Sequence, residues 1–315
     1  METYPKSLME LESWFTTDDE CRQYLFRMRW PDGFKCPECG AGSSWETDRG
    51  LCVCSRCEQQ VSVTAGTIFH GSRKPLRLWF RAIWQITSQK YGANALGLMR
   101  VLGLGSYHTA WEWLHRLRRA MVRPGREPLR GVVEVDETLI GGERSGKRGR
   151  GAAGKVLVVI AVEDTAVEPG GKGMGRVRMS RIVDASSDSL LKFIGDNIEK
   201  GSTVRTDCWS GYTGVGAAGY NHVKVLGYGT VGEDSLPLVH RIASLAKRWL
   251  LGTYQGAVKP QYLDYYLDEY TFRFNRRKSA SRGKLFYRLI EQAVAVPPVT
   301  GRRILDTRKN PDHNL

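Results

Sequence analysis

The 315-residue sequence contains no window of about 18 uninterrupted apolar residues, which leaves no candidate for a membrane-spanning helix. Its opening, METYPKSLMELESWF, is acidic and lacks the apolar core of a secretory leader, so a cytoplasmic protein is expected. Internal repeats and low-complexity segments are also missing, which excludes solenoid and fibrous arrays. Acidic side chains are scarce where basic ones are dense: residues 71–130 hold 2 of them against 12 basic ones. Residues 1–70, by contrast, carry 11 acidic and 7 basic side chains. A 60-residue segment that positive implies a polyanionic partner, and nucleic acid is the default where no membrane signal accompanies it. The plainer alternative is a solvated basic face. What remains is the composition of an ordinary globular chain, 41% hydrophobic and 25% charged, long enough for two or three domains.

Cysteine is not abundant, but its placement is informative. Four of the seven cysteines fall as Cys36-Pro-Glu-Cys39 and Cys54-Ser-Arg-Cys57, two C-x2-C knuckles fourteen residues apart. A two-residue spacing lets both thiolates of a turn face one tetrahedral ion, and two such knuckles make a four-thiolate zinc site. A disulfide pair is disfavoured in a cytoplasmic chain, and a redox C-x-x-C is not expected in duplicate. Cys52 lies two residues before Cys54 and is the one competitor for its place, whereas Cys21 and Cys208 read as buried thiols. Because this region is net acidic, its zinc reads as structural.

The basic segment that follows has helical periodicity. Lys74-Pro-Leu-Arg-Leu-Trp-Phe-Arg-Ala-Ile-Trp84 starts a first helix, with Pro75 suited to a first turn. A second spans Asn94 to Val101, Leu102-Gly-Leu-Gly-Ser106 breaks it, and a third covers Tyr107 to Arg119. Helix, glycine-bearing turn and helix is the shape of a helix-turn-helix, whose second helix enters the major groove by its N-terminal residues. Tyr107, His108 and Thr109, with Ser106, would then approach base edges, and Arg116, Arg118 and Arg119 would meet phosphates. Trp111, Leu114 and Leu117 would pack inward, as they would in any three-helix bundle.

From residue 131 the period changes to that of strands. Gly131–Ile140, Lys155–Val162 and Arg176–Val183 read as three strands, followed by a helix near Ser187–Ile198 and a short strand over Ser202–Asp207. This α/β order can bring carboxylates to neighbouring strand ends. Asp136 interrupts the first strand and Asp207 ends the fourth; each, taken alone, is as readily a cap or turn residue. Pro237–Trp249 then reads as an amphipathic helix on which His240, Ser244 and Lys247 share one face and Ile242, Leu245, Ala246 and Trp249 another.

These segments carry a resemblance. "CPECG" with "CSRC", "VEVDETLIGG", "GKRGRGAAGKVLVVIAVE", "VRTDCWSGY", "KRWLLGTYQGAV" and "YLDEYTFRFNRR" occur in order from about residue 30 to 278. Together they resemble insertion-sequence transposases of the ISXO-like group, in which a zinc ribbon precedes a DDE-type, RNase H-like domain. The resemblance implies an α/β fold class: an RNase H-like mixed sheet with flanking helices, preceded by a four-cysteine zinc ribbon and a helix-turn-helix-like domain. It implies that Asp136 and Asp207 are catalytic aspartates binding Mg²⁺ or Mn²⁺, that His240 occupies the third catalytic position, and that Lys247 is the lysine seven residues beyond it. Many DDE enzymes have Glu at the third position; a neutral imidazole adds no negative charge there, so Mg²⁺ should be held more weakly and Mn²⁺ tolerated better. Glu233 and Asp234 lie near enough in sequence to supply a missing carboxylate. Glu137 should point to the face opposite Asp136 if the strand is regular.

The domain organisation expected is an N-terminal helix and zinc ribbon over 1–70, a DNA-binding domain over 71–130, a catalytic domain with C-terminal helices over 131–294, and a tail over 295–315. Arg144, Lys147, Arg148, Arg150 and Lys155, in a glycine-rich stretch after the first strand, suit a DNA clamp. Arg276, Arg277 and Lys278 would extend that surface. The expected partners are double-stranded DNA, both terminal inverted repeats and target, and a second copy of the chain, acting at the nucleoid of a bacterial or archaeal cell. Two rivals remain at this level: a DNA-binding regulator with a degenerate nuclease domain, and an RNase H-like nuclease that cuts without insertion.

Overall fold

A computed structural model describes residues 3–123, 125–141, 155–167, 170, 173–226, 235–255, 258–299 and 301–305. In chain order the helices and strands are α1 (Leu8–Trp14), α2 (Asp18–Arg29), β1 (Ser44–Glu46), β2 (Leu51–Cys54), β3 (Gln60–Ser62), α3 (Leu76–Ser88), α4 (Ala95–Leu102), α5 (Tyr107–Ala120), β4 (Val132–Ile140), β5 (Val156–Asp164), β6 (Met174–Arg181), α6 (Ser187–Asn197), β7 (Thr203–Thr206), β8 (Asn221–Lys224), α7 (Pro237–Tyr254), α8 (Leu263–Asn275), α9 (Arg282–Ala295) and α10 (Gly301–Leu305). Among the described residues no helix is long and apolar enough to cross a membrane. The chain divides into two compact units, one formed by residues before 124 together with those from 278 onward, the other by 124–277.

The first unit joins the small antiparallel sheet β1-β2-β3 to helices. Thr17 and Glu20 close a reciprocal capping box at the start of α2, satisfying two amides that the helix itself cannot. α3 buries Trp79, Phe80, Ile83 and Ile86, and the Trp79 indole stacks on Trp113 of α5 at 3.9 Å between centroids. α4 ends on Gly103 in the left-handed conformation (φ +62), where a side chain would be strained, and α5 begins four residues later. Helix, glycine-bearing turn and helix therefore follow one another here.

Two boundaries differ from expectation. Helix α9 belongs to this first unit, not to the sheet unit. Its face of Leu285, Phe286, Leu289 and Ile290 is buried, and the Phe286 ring lies 5.7 Å from Phe80 and 5.9 Å from Trp84. An amphipathic face shows that a helix is buried but not against what, and here it finds the aromatic cluster of α2 and α3. The expected tail is also partly structured, since Val296, Val299 and Ile304 are buried.

The second unit is a five-stranded mixed sheet of order β6-β5-β4-β7-β8. β4 pairs antiparallel with β5, and β5 with β6, while β4–β7 and β7–β8 are parallel. This is the mixed α/β arrangement expected. The strand β4 sits at its centre, and its side chains alternate between faces. Val133 and Val135 face the core formed with Leu190, Phe193 and Ile194 of α6 and with Tyr212 and Val215. Glu134, Asp136 and Thr138 face the other way, toward α7, as their contacts below show. The strand runs through Asp136 without interruption.

Candidate active site and zinc centre

The four knuckle cysteines converge. Their sulfurs lie within 4.8 Å of one another, with Cys36 to Cys57 at 3.6 Å and Cys39 to Cys54 at 3.5 Å. A tetrahedron of ~2.3 Å zinc–sulfur bonds has edges of about 3.8 Å, so the donor set and its spacing fit zinc. Gly40, at φ +72, releases the first knuckle, and its amide donates to the Cys36 carbonyl at 2.9 Å. Cys52 stays outside the cluster; it lines a cavity with Arg22, Phe26 and Val63. Cys21 is buried, and burial pushes its thiol up to about 12. Cys208 corrects expectation, being exposed, because it follows the end of β7 where the chain leaves the sheet.

In the second unit, three consecutive α7-facing positions of β4 make contacts with that helix. Asp136 Oδ2 lies 3.2 Å from His240 Nε2. Two residues on, Thr138 Oγ1 accepts a hydrogen bond from Lys247 Nζ at 2.7 Å. Two residues back, Glu134 Oε2 accepts from the backbone amides of Leu238 and Val239 at 2.9 and 3.1 Å. Asp207 directly follows β7, the parallel neighbour of β4, and its Oδ1 accepts from the Trp209 amide at 3.0 Å.

The helix meets the sheet by burying Val239, Ile242, Ala243, Ala246 and Leu250. Leu245 and Trp249, expected on that face, are only half-buried. His240, Ser244 and Lys247 are exposed on the shared face expected of them.

Electrostatics mark the same place. Burial, and after it the neighbouring Glu137 carboxylate, push Asp136 up to about 6, with Asp207 adding in the same direction and His240 opposing. Partial burial and then Lys155 hold Lys247 below the usual lysine range. Glu137 faces away from Asp136, as the alternation requires, and accepts a hydrogen bond at 2.8 Å from the fully buried Tyr212 hydroxyl. Among the described residues the four cysteines are the one group whose ligand atoms gather within 4.8 Å; Asp136, Asp207 and His240 are more widely set.

Residues 128–275 match the ISXO2-like transposase domain, and residues 16–60 match the transposase zinc-ribbon domain. The first match spans the whole sheet with α7 and α8, and the second contains all four zinc-site cysteines. The chain carries a transposase zinc ribbon ahead of an ISXO2-like transposase domain. An uncharacterized protein in transposable element ISH50 of Halobacterium salinarum is 26% identical over 275 residues, covering 80% of this chain and 89% of that protein.

The residues expected to meet DNA divide sharply by exposure. Tyr107 and His108 are exposed at the start of α5, and Thr109 and Arg119 are half-exposed. Arg118, expected on a phosphate, is instead 1% exposed, with its guanidinium 3.4 Å from His115 Nδ1 and 3.5 Å from the Ala93 carbonyl. Arg116 is half-buried, paired with Glu112 at 2.5 Å and donating to the carbonyls of Ile68 and His70. Both are structural because α5 is covered on more than one side. Arg277 likewise corrects expectation: it donates to the carbonyls of Met174, Gly175 and Phe274. Arg276 lies 4.0 Å over the Phe272 ring. Arg144, Lys147, Arg148 and Arg150, with Glu233 and Asp234, lie outside the described residues.

Glu134, Thr138 and Tyr212 were missed in the sequence. A signal existed for the first two. Glu134 and Thr138 stand at i−2 and i+2 from Asp136, so a regular strand puts all three on one face.

Proposed function

We propose that this chain is a DNA transposase that binds the terminal inverted repeats of its insertion sequence, hydrolyses a strand at each end to free a 3′-OH, and directs that hydroxyl at target DNA. What supports this reading is the pairing of Asp136 of β4 with His240 on a helix that also carries Lys247, with Asp207 directly following the strand next to β4, inside a matched transposase domain. In the assigned roles, Asp136 and Asp207 are carboxylate ligands for Mg²⁺ or Mn²⁺. When bound, such ions supply charge stabilisation to the attacking and leaving oxygens of phosphoryl transfer.

His240 stands at the third position, where its imidazole both contacts Asp136 and is exposed to DNA. Lys247, fixed by Thr138, presents an ammonium to a phosphate near the scissile bond. Tyr107, His108 and Thr109 read base edges in a major groove, and Arg119 meets the backbone. Arg144, Lys147, Arg148 and Arg150 add to the clamp. Because two ends must be processed together, the working form is a dimer or larger homo-oligomer, located with the DNA in the cytoplasm.

The test is cleavage of a labelled duplex carrying the repeat that flanks the gene, with Mg²⁺ or Mn²⁺. Nicking at the repeat end by wild type, lost in Asp136→Ala and Asp207→Ala, is expected. Specific binding without nicking under either ion would replace this reading by that of a DNA-binding regulator. Nicking that needs no repeat end would replace it by that of a nuclease.

A further inference from the structure

Helix α7 has no cap of its own. The residue preceding it, Leu236, offers no side-chain hydrogen bond, and Pro237 at its first position carries no amide hydrogen. The next two amides, those of Leu238 and Val239, are donors that an α-helix cannot satisfy internally. Both donate to one oxygen of Glu134, a residue 2% exposed and more than a hundred positions earlier in the chain. A carboxylate at that depth is costly unless it is hydrogen-bonded. Its place at a helix N-terminus lowers the cost, since the helix dipole favours negative charge there.

The cap is also the first of three contacts between β4 and α7. Glu134, Asp136 and Thr138 advance about 13 Å along a strand, at ~3.3 Å per residue. From Leu238 to Lys247 the helix advances about 13.5 Å, at ~1.5 Å per residue. The end-to-end rises agree, so the first and last contacts can form together on a helix beside the strand, and His240, only ~3 Å beyond Leu238 on the helix against ~6.6 Å from Glu134 to Asp136 on the strand, spans the difference with its side chain. A slip of α7 by one residue would move His240 by ~1.5 Å and turn it by about 100°. His240 would then leave Asp136 and Lys247 would leave Thr138.

We propose that Glu134 is a positioning residue for the cleavage reaction: its carboxylate anchors the first turn of α7 and so sets His240 against Asp136. This rests on the transposase reading for its consequence, though not for the anchor itself. Glu134 touches neither DNA nor a reacting atom. Its function is to accept two hydrogen bonds, which a glutamine can also do.

Two measurements test it together, on full-length Glu134→Ala and Glu134→Gln. Hydrogen–deuterium exchange is followed in the peptide covering residues 236–247, with β5 as the internal reference. Glu134→Ala should exchange at least tenfold faster in that peptide, with β5 unchanged, and Glu134→Gln should stay within about threefold of wild type. Single-turnover nicking should fall at least tenfold in Glu134→Ala, with DNA affinity held within twofold, and Glu134→Gln should recover most of the rate. Wild-type exchange in Glu134→Ala would overturn the anchor. A rate loss shared equally by Glu134→Gln would overturn the positioning role, since charge and not hydrogen-bond acceptance would then matter. If Glu134→Ala does not fold, Glu134→Asp, one methylene shorter, takes its place. Should wild type fail to nick with either ion, the transposase reading falls, while the exchange measurement still decides the anchor.

Discussion

Thr138 and Lys247 meet at 2.7 Å, two residues along β4 from Asp136 and two turns along α7 from His240. The lysine is thereby held by a neutral hydroxyl and not by a carboxylate. Its charge remains available to a phosphate.

That arrangement predicts unequal effects of removing the two partners. Lys247→Ala should lower the nicking rate by about 10²-fold, and Thr138→Val, which leaves the ammonium but frees its position, by less than about tenfold. Combined, they should cost little more than Lys247→Ala alone, because the threonine acts through the lysine. Single-turnover kinetics on one labelled repeat end would measure all three. Equal losses for the two single variants would show that Thr138 has a separate role.

The raised Asp136 makes ion binding pH-dependent. A divalent ion must displace the proton, so Mn²⁺ affinity should be near its plateau above pH 7 and fall by up to about tenfold per unit once the pH drops below about 6. Titration of Mn²⁺ by electron paramagnetic resonance between pH 5 and 8 measures this. The stability effect has the opposite sign to the usual carboxylate. With the folded pKa above the unfolded value of 3.8, ionised Asp136 disfavours the fold at neutral pH, and that penalty disappears as pH falls through 6 toward 4. In the absence of divalent ions, Asp136→Asn should therefore stabilise the protein by ~1–3 kcal/mol at pH 7.5 and have little effect near pH 4.

The zinc centre should contain one ion per chain. Cys36→Ser or Cys57→Ser should lose it and melt the three-stranded ribbon, since zinc binding in such sites is folding free energy of order ~10 kcal/mol. Cys52→Ser should retain a full equivalent, because that thiol faces the α2 cavity. Elemental analysis after gel filtration distinguishes the variants, and less than half an equivalent in Cys52→Ser would contradict the assignment.

The arginines of α5 should separate stability from DNA affinity. Arg118→Ala removes a buried side chain and its hydrogen bonds, and should destabilise the protein by about 2–4 kcal/mol. Tyr107→Ala and His108→Ala should leave the melting temperature within a degree or two. They should weaken repeat binding by about tenfold each. Thermal melts and fluorescence anisotropy at one fixed salt concentration test both halves.

Different parts of this molecule were legible in the sequence for different reasons. The zinc ligands were, because ligand spacing is a local property: Cys36, Cys39, Cys54 and Cys57 needed only two tight turns to converge. Asp136 and Asp207 were singled out through the resemblance, and the alternation of β4 turned Glu137 away from Asp136. Arg116 and Arg118 were misread because helical periodicity gives the angle between side chains but not how many neighbours surround the helix. The apolar face of α7 was only half right for a related reason. Residues Val239, Ala243 and Leu250 are buried with Ile242 and Ala246, so the face that meets the sheet is turned from the one the apolar residues marked. Glu134 stood out as a single glutamate in a strand of valines, yet its partner is a pair of backbone amides, and backbone partners leave no mark in a sequence.

The return of α9 to the first unit has a consequence for synthesis. Phe286 completes a cluster whose other members, Phe15, Tyr24, Phe80 and Trp84, leave the ribosome some two hundred residues earlier. The sheet unit is continuous, so all of its strands have emerged while α9 is still in the exit tunnel. The first residues translated are therefore among the last to finish folding, and a nascent chain cut short before Leu285 would carry a formed sheet behind an open aromatic core.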